Sequence, residues 1–214
     1  MKYIIINLSP RPKGTSSMLK DYFAQKMHSN ANDVEKCNLY DYLKSMNVLL
    51  DKVKTSDSIV LIGPSYVCSY PADTINLLSS MSESAGVLHG QSLYGFIQGG
   101  MPYTHTHEHG IRLLENFAEN NPVEFKGGFV MGGGAVLNGQ PLEKIMGAKK
   151  MVPAVNAFID HIIKDEHSSE ALYKNAAMKI PSFITRILAP VMTRQIKKRF
   201  AAEGINYNAK SPYL

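Results

Sequence analysis

Two spacings of apolar residues alternate along this chain of 214 residues. Short unbroken runs, Tyr3-Ile4-Ile5-Ile6 and Ile59-Val60-Leu61-Ile62, suit strands covered on both faces, as in a parallel sheet. Between the runs the apolar period is helical: Met18, Leu19, Tyr22, Phe23 and Met27 fall on one face. Strands are expected near 2–7, 33–39, 58–63, 92–97 and 125–131, and helices near 16–29, 47–54, 71–84, 108–120 and 141–164. Five βα units in succession predict an α/β fold, a doubly wound parallel sheet with right-handed crossovers.

In such a sheet the ligand crevice lies beyond the carboxyl ends of the strands. The loop after the first strand reads LSPRPKGTSS (8–17) and opens a helix, whose N-terminus favours an anion. Ser9, Thr15, Ser16 and Ser17 supply hydroxyls there, while Arg11 and Lys13 supply cations. Neither the GxxxxGK[ST] loop of nucleoside triphosphate sites nor the GxGxxG of dinucleotide sites occurs here. A hydroxyl-rich loop with a single Gly14 suits one terminal monophosphate. The plainer alternative is that Thr15 or Ser16 caps the helix and Arg11 is solvated. Two further strand-end loops converge on the same edge. GPSYVCSYPADTINLL (63–78) carries an aromatic and a Pro71 suited to a helix start, and QGGMPYTH (98–105) carries paired glycines. A phosphate loop, an aromatic loop and a glycine loop together describe a site for a planar mononucleotide.

SPRxxGTS at 9–16, PSYVCSYPADTINLL at 64–78 and QGG at 98–100 resemble the three FMN-binding segments of flavodoxin-like NAD(P)H-dependent FMN reductases. The resemblance covers residues 1–165 in element order and implies a flavodoxin-like five-stranded sheet ordered 2-1-3-4-5, with FMN at its carboxyl edge. It implies that Ser9, Arg11, Thr15, Ser16 and Ser17 hold the phosphate. Pro64, Ser65, Tyr66 and Val67 would flank the isoalloxazine on one side, and Gln98, Gly99 and Gly100 on the other. Tyr103 or His105 would stack on a nicotinamide or quinone. GGGAVLNGQPL (132–142) is similar to a glycine-rich loop that members carry after the fifth strand. The implied activity is transfer of electrons from NADH or NADPH through FMN to a small acceptor such as a quinone, free flavin or nitro or azo compound. A homodimer or higher homo-oligomer is implied as well. A flavodoxin-type electron carrier serving a protein partner is the alternative. Two departures stand out: Asn76 replaces a lysine common in the family, and the cysteine cluster of iron–sulfur relatives is missing. The flavin carries the redox chemistry, so no catalytic acid or base is assigned.

Composition adds limits. Cys37 and Cys68 are the only cysteines, which excludes a disulfide framework and suits a reducing cytoplasm. Each thiol is expected as a small buried hydrophobe. The N-terminus shows no signal-peptide pattern, and a cytoplasmic location is expected. In THTHEHG (104–110), His105, His107 and His109 alternate with other residues, a spacing that serves a metal only on an extended loop. A solvated loop with one histidine near the ligand is expected instead, with no metal. Charge is uneven: residues 1–170 hold 15 basic and 17 acidic residues, whereas 171–200 hold seven basic and none acidic. No nucleic-acid module accompanies that basic stretch, and no nucleic-acid partner is expected. Residues 166–214 therefore read as a basic, amphipathic helical extension of the 1–165 FMN-binding domain. Ile180, Phe183, Ile184, Ile187, Leu188, Val191 and Met192 form its apolar stripe, Pro181 suits its start, and Pro190 is expected to kink or split it. Packing on the domain or a second subunit is expected to cover the stripe, ahead of a membrane surface.

Overall fold

A computed structural model describes residues 1–29, 33–177 and 182–206. Strands β1 (Lys2–Asn7), β2 (Asp33–Asn38), β3 (Ser58–Pro64), β4 (Gln91–Gln98) and β5 (Val123–Met131) form one parallel sheet ordered β2-β1-β3-β4-β5. Every residue of β3 and β4 is buried, as continuous apolar runs in a sheet covered on both faces require. At the edge, β2 buries only Val34 and Cys37, so the run there is broken by polar residues.

Helix α1 (Thr15–His28) buries Leu19, Phe23 and Met27. The Phe23 ring meets Phe96 of β4 edge-on at 5.4 Å, and Phe158 of α5 (Ala148–Ile163) meets Phe129 of β5 at 5.6 Å. These two helices thus cover one face of the sheet, where Phe96 and Phe129 stack at 5.0 Å. On the opposite face α4 (Glu108–Glu119) lays Ile111 and Leu114 over Gly95 and Gly128. Helices α2 (Met46–Lys54) and α3 (Ala72–Glu83) complete the alternation, each burying an apolar stripe.

Three differences from the sequence reading have physical causes. The helix expected over 141–164 starts only at Ala148, because Ile145 is extended and Gly147 is left-handed at φ +82°. A short turn of 3₁₀ helix, Leu142–Lys144, precedes that break. A further helix, α6 (Ala171–Ala176), follows the expected boundary at 165 and buries Tyr173 and Ala176. Contacts divide the chain into units Met1–Met178 and Lys179–Leu214, so the first unit runs past 165 to include α6. Helix α7 (Ser182–Ala202) forms the second unit and continues through Pro190 without splitting. Ile180 and Pro181, named in the apolar stripe and its start, lie outside the described residues.

Candidate functional site

Three loops meet at the carboxyl edge of β1, β3 and β4. They bound a cleft lined by Ser9, Arg11, Gly14, Thr15, Ser16, Pro64, Ser65, Tyr66, Gln98, Gly99, Gly100, Ala135 and Asn138. The first loop is shaped by its own hydroxyls and amides. The Ser9 amide donates to Asn7 Oδ1 at 3.0 Å, and the Arg11 amide donates to Ser9 Oγ at 3.2 Å. No side chain caps α1, whose Ncap Gly14 is extended, and no acidic residue occupies its first turn. Its first amides and positive dipole end therefore face the cleft uncompensated. Among the described residues no partner takes the Arg11 guanidinium, which lies exposed on the cleft wall.

Thr15 and Ser16 are buried, but they do not cap the helix. Thr15 Oγ1 donates to the Gly134 carbonyl at 2.9 Å, and Ser16 Oγ accepts from Gln98 Nε2 at 3.3 Å. These bonds tie the first loop to the end of β4 and to the loop that follows β5. Gln98 Oε1 is buried and unpartnered beside Gly134, so the cleft retains one unused acceptor.

The second wall is a tight reversal. Tyr66 and Ser69 exchange backbone hydrogen bonds of 2.6 and 3.2 Å across Val67 and Cys68, which both have positive φ of 49° and 72°. That is the geometry of a two-residue hairpin turn, which asparagine and glycine adopt most easily. Cys68 is exposed there, against the expectation of a buried thiol, while Cys37 is buried in β2. At the rim, burial and the neighbouring Asp73 carboxylate push the Tyr40 hydroxyl up to about 12, so it keeps its proton at neutral pH.

The third wall is the Gly99-Gly100 loop, and a histidine lies directly behind it. A side chain at Gly99 would collide with the His107 ring, which is only 4% exposed. His107 Nε2 lies 3.1 Å from the Met101 carbonyl, and its Nδ1 is buried without a partner. The segment expected as a solvated loop is instead a 3₁₀ turn, Thr104–Thr106, running into α4. His107 faces inward there, whereas His105 and His109 are exposed.

Most residues singled out from the sequence share this one cleft, and three lie outside its lining. Ser17 is half-buried on α1, Val67 stands 98% exposed on its turn, and Tyr103 pairs with the His105 ring at 5.8 Å. Gly14, Ala135 and Asn138 also line the cleft; the sequence placed them in the first loop and in the glycine-rich 132–142 loop without giving any of the three a role of its own. Asn138 is left-handed at φ +46°, and the Asn-Gly dipeptide it begins was the available signal of a turn. The cavity measures about 130 Å³.

No protein-family model matches the sequence, and no curated protein matches it. Solved structures do match in fold. A NADH:FMN oxidoreductase in its apo form is 16% identical with TM-score 0.58, over 80% of this chain and 93% of that one. An FMN-dependent NADH-azoreductase from Bacillus anthracis, in complex with FMN, is 14% identical with TM-score 0.58, over 77% and 99%. A flavone reductase is 13% identical with TM-score 0.58, over 80% and 67%. At such identities the likeness is one of architecture, and with the sheet order β2-β1-β3-β4-β5 it shows that this chain has the flavodoxin-like fold.

Proposed function

We propose that the chain is an FMN-dependent oxidoreductase that takes electrons from NADH or NADPH and delivers them to a small acceptor, such as a quinone, free flavin or nitro or azo compound. One observation carries the reading: a cavity of about 130 Å³ at an uncapped helix start, lined by Arg11, Tyr66 and Gly99-Gly100. The donor set fits the group. The α1 amides and the Arg11 guanidinium match a dianionic phosphate, with Ser9, Thr15 and Ser16 buried around it. Gly99 leaves room for the His107 ring behind it, and that ring keeps the loop backbone in place along the cleft. Bound FMN supplies the redox chemistry, accepting a hydride from the nicotinamide and returning one or two electrons. The protein contributes position and polarity. The Gly99 amide donates to the Met131 carbonyl at 3.1 Å, which leaves the Gly100 amide as the donor at that edge for a developing negative charge on the ring. Neighbours described as an NADH:FMN oxidoreductase and an FMN-dependent NADH-azoreductase support the same reading.

The test is spectroscopic. The protein titrated with FMN should bind it and quench its fluorescence, and anaerobic NADH or NADPH should bleach the visible band. A quinone should then restore it. Tight FMN binding without bleaching by either nucleotide would move the assignment to an electron carrier. No FMN binding would remove both.

A further inference from the structure

We propose that α7 seats the protein on an anionic lipid surface. The charge of the chain is segregated by unit. Residues 179–214 hold seven Lys or Arg and a single acid, Glu203, whereas residues 1–178 hold sixteen basic and seventeen acidic residues. Glu203 is engaged with Arg199 at 3.4 Å. Beside that charge stand exposed apolar side chains: Val191 is 49% exposed, Met192 58% and Ile196 44%. Met192 and Ile196 are one turn apart and form a ridge, with Val191 about 100° round the helix from Met192, while Arg194, Lys198 and Arg199 are exposed in the same turns.

An apolar ridge set among cations needs an occupant with both an anionic and an apolar layer, and a bilayer surface has both. A second copy would set one cationic helix against another, or against a first unit whose acids outnumber its bases by only one. A nucleic acid would meet the charge and leave the ridge in water. The helix is not apolar enough to cross a bilayer. It therefore lies along the surface, with the ridge in the headgroup region and the basic side chains on lipid phosphates. This inference does not rest on the flavin reading, because lipid binding is measured without FMN.

The experiment floats the full chain with vesicles of phosphatidylcholine alone or mixed with phosphatidylglycerol. Binding is expected only to the mixed vesicles, weakening as salt rises. Arg194→Gln with Lys198→Gln should lower the partition coefficient about 25-fold, roughly fivefold per charge. Met192→Ser with Ile196→Ser should lower it as well, with the helical circular-dichroism signal unchanged. On the unsubstituted protein, α7 amides should gain hydrogen-exchange protection with mixed vesicles and none with phosphatidylcholine. Failure to float, equal binding to neutral vesicles, or no response to the charge pair would overturn the proposal. So would a lipid-free dimer that Met192→Ser with Ile196→Ser dissociates, since the ridge would then be a subunit contact.

Discussion

At the scale of single residues, two side chains separate ligand binding from folding. Arg11 lies on the cleft wall with no partner taking its guanidinium among the described residues, so folding alone gives it little to do. Arg11→Ala should leave the melting temperature unchanged and weaken FMN by about 1.5–3 kcal/mol, the range for hydrogen bonds to a charged group. Titration of the apoprotein reads this, and an affinity within twofold of the original would remove Arg11 from the phosphate site. Val67 is the converse case. A β-branched residue at φ +49° is strained, and at 98% exposure it recovers nothing by packing. Val67→Asn, which tolerates that backbone, should stabilise the free protein by about 1 kcal/mol in urea denaturation. If the turn serves the flavin face, the same change should weaken FMN. The place of the first loop on the cleft was legible because its hydroxyls, Arg11 and Gly14 are local in sequence. The strain at Val67 and Cys68 was not, since neither residue type announces a left-handed backbone.

At the scale of elements, the tie between β5 and the chain leaving α5 shows how a single ion pair holds two segments together. Lys126 Nζ donates to the Asp165 carboxylate at 2.6 Å and to its carbonyl at 3.0 Å, and Ser92 Oγ donates to the same carboxylate at 2.5 Å. Burial alone would raise the Asp165 carboxyl, but the bonds from Lys126 and Ser92 outweigh it and hold it below its usual value. A depressed carboxyl contributes stability that is present above its unfolded value, near 4, and is lost as pH falls through the folded one. Asp165 is left-handed at φ +58°, so asparagine replaces it without backbone strain. Asp165→Asn should cost about 1–2 kcal/mol at pH 7, and the gap should begin to close only as pH falls below about 4, toward the lowered folded value. A loss that stays constant across that range in denaturant titrations would assign the effect to packing instead. Element positions were largely legible from apolar period. The long helix over 141–164 was misread because period alone does not register Gly147, whose left-handed backbone ends one element before the next begins.

At the scale of the whole molecule, the first unit is closed by a segment beyond its expected end. Tyr173 is 1% exposed, meets Phe129 edge-on at 6.0 Å, and donates to Glu108 Oε1 at 3.2 Å. A chain ending after residue 170 loses that ring and should be destabilised by about 3–5 kcal/mol, the scale of removing a buried aromatic side chain. A chain ending after residue 178 keeps it and should melt as the full protein does. Equal melting of the two truncated chains would show that α6 contributes nothing to the first unit. The apolar runs, the helical stripes and the order of strand and helix determined the fold class by themselves, because burial on both faces leaves a parallel sheet few alternatives. The identity of the loop residues likewise carries the proposal of a flavin mononucleotide, since hydroxyls, cations and glycines keep their chemistry wherever they are placed. Only the tertiary structure decided which of them share one cleft: Asn138 enters it, while Ser17, Val67 and Tyr103 lie outside its lining. It also decided that His107, not its exposed neighbours, stands behind Gly99. Those outcomes depend on which chain-distant segments come within a few ångströms of each other, and that distance is written in the packing of helices on the sheet rather than in any local stretch of sequence.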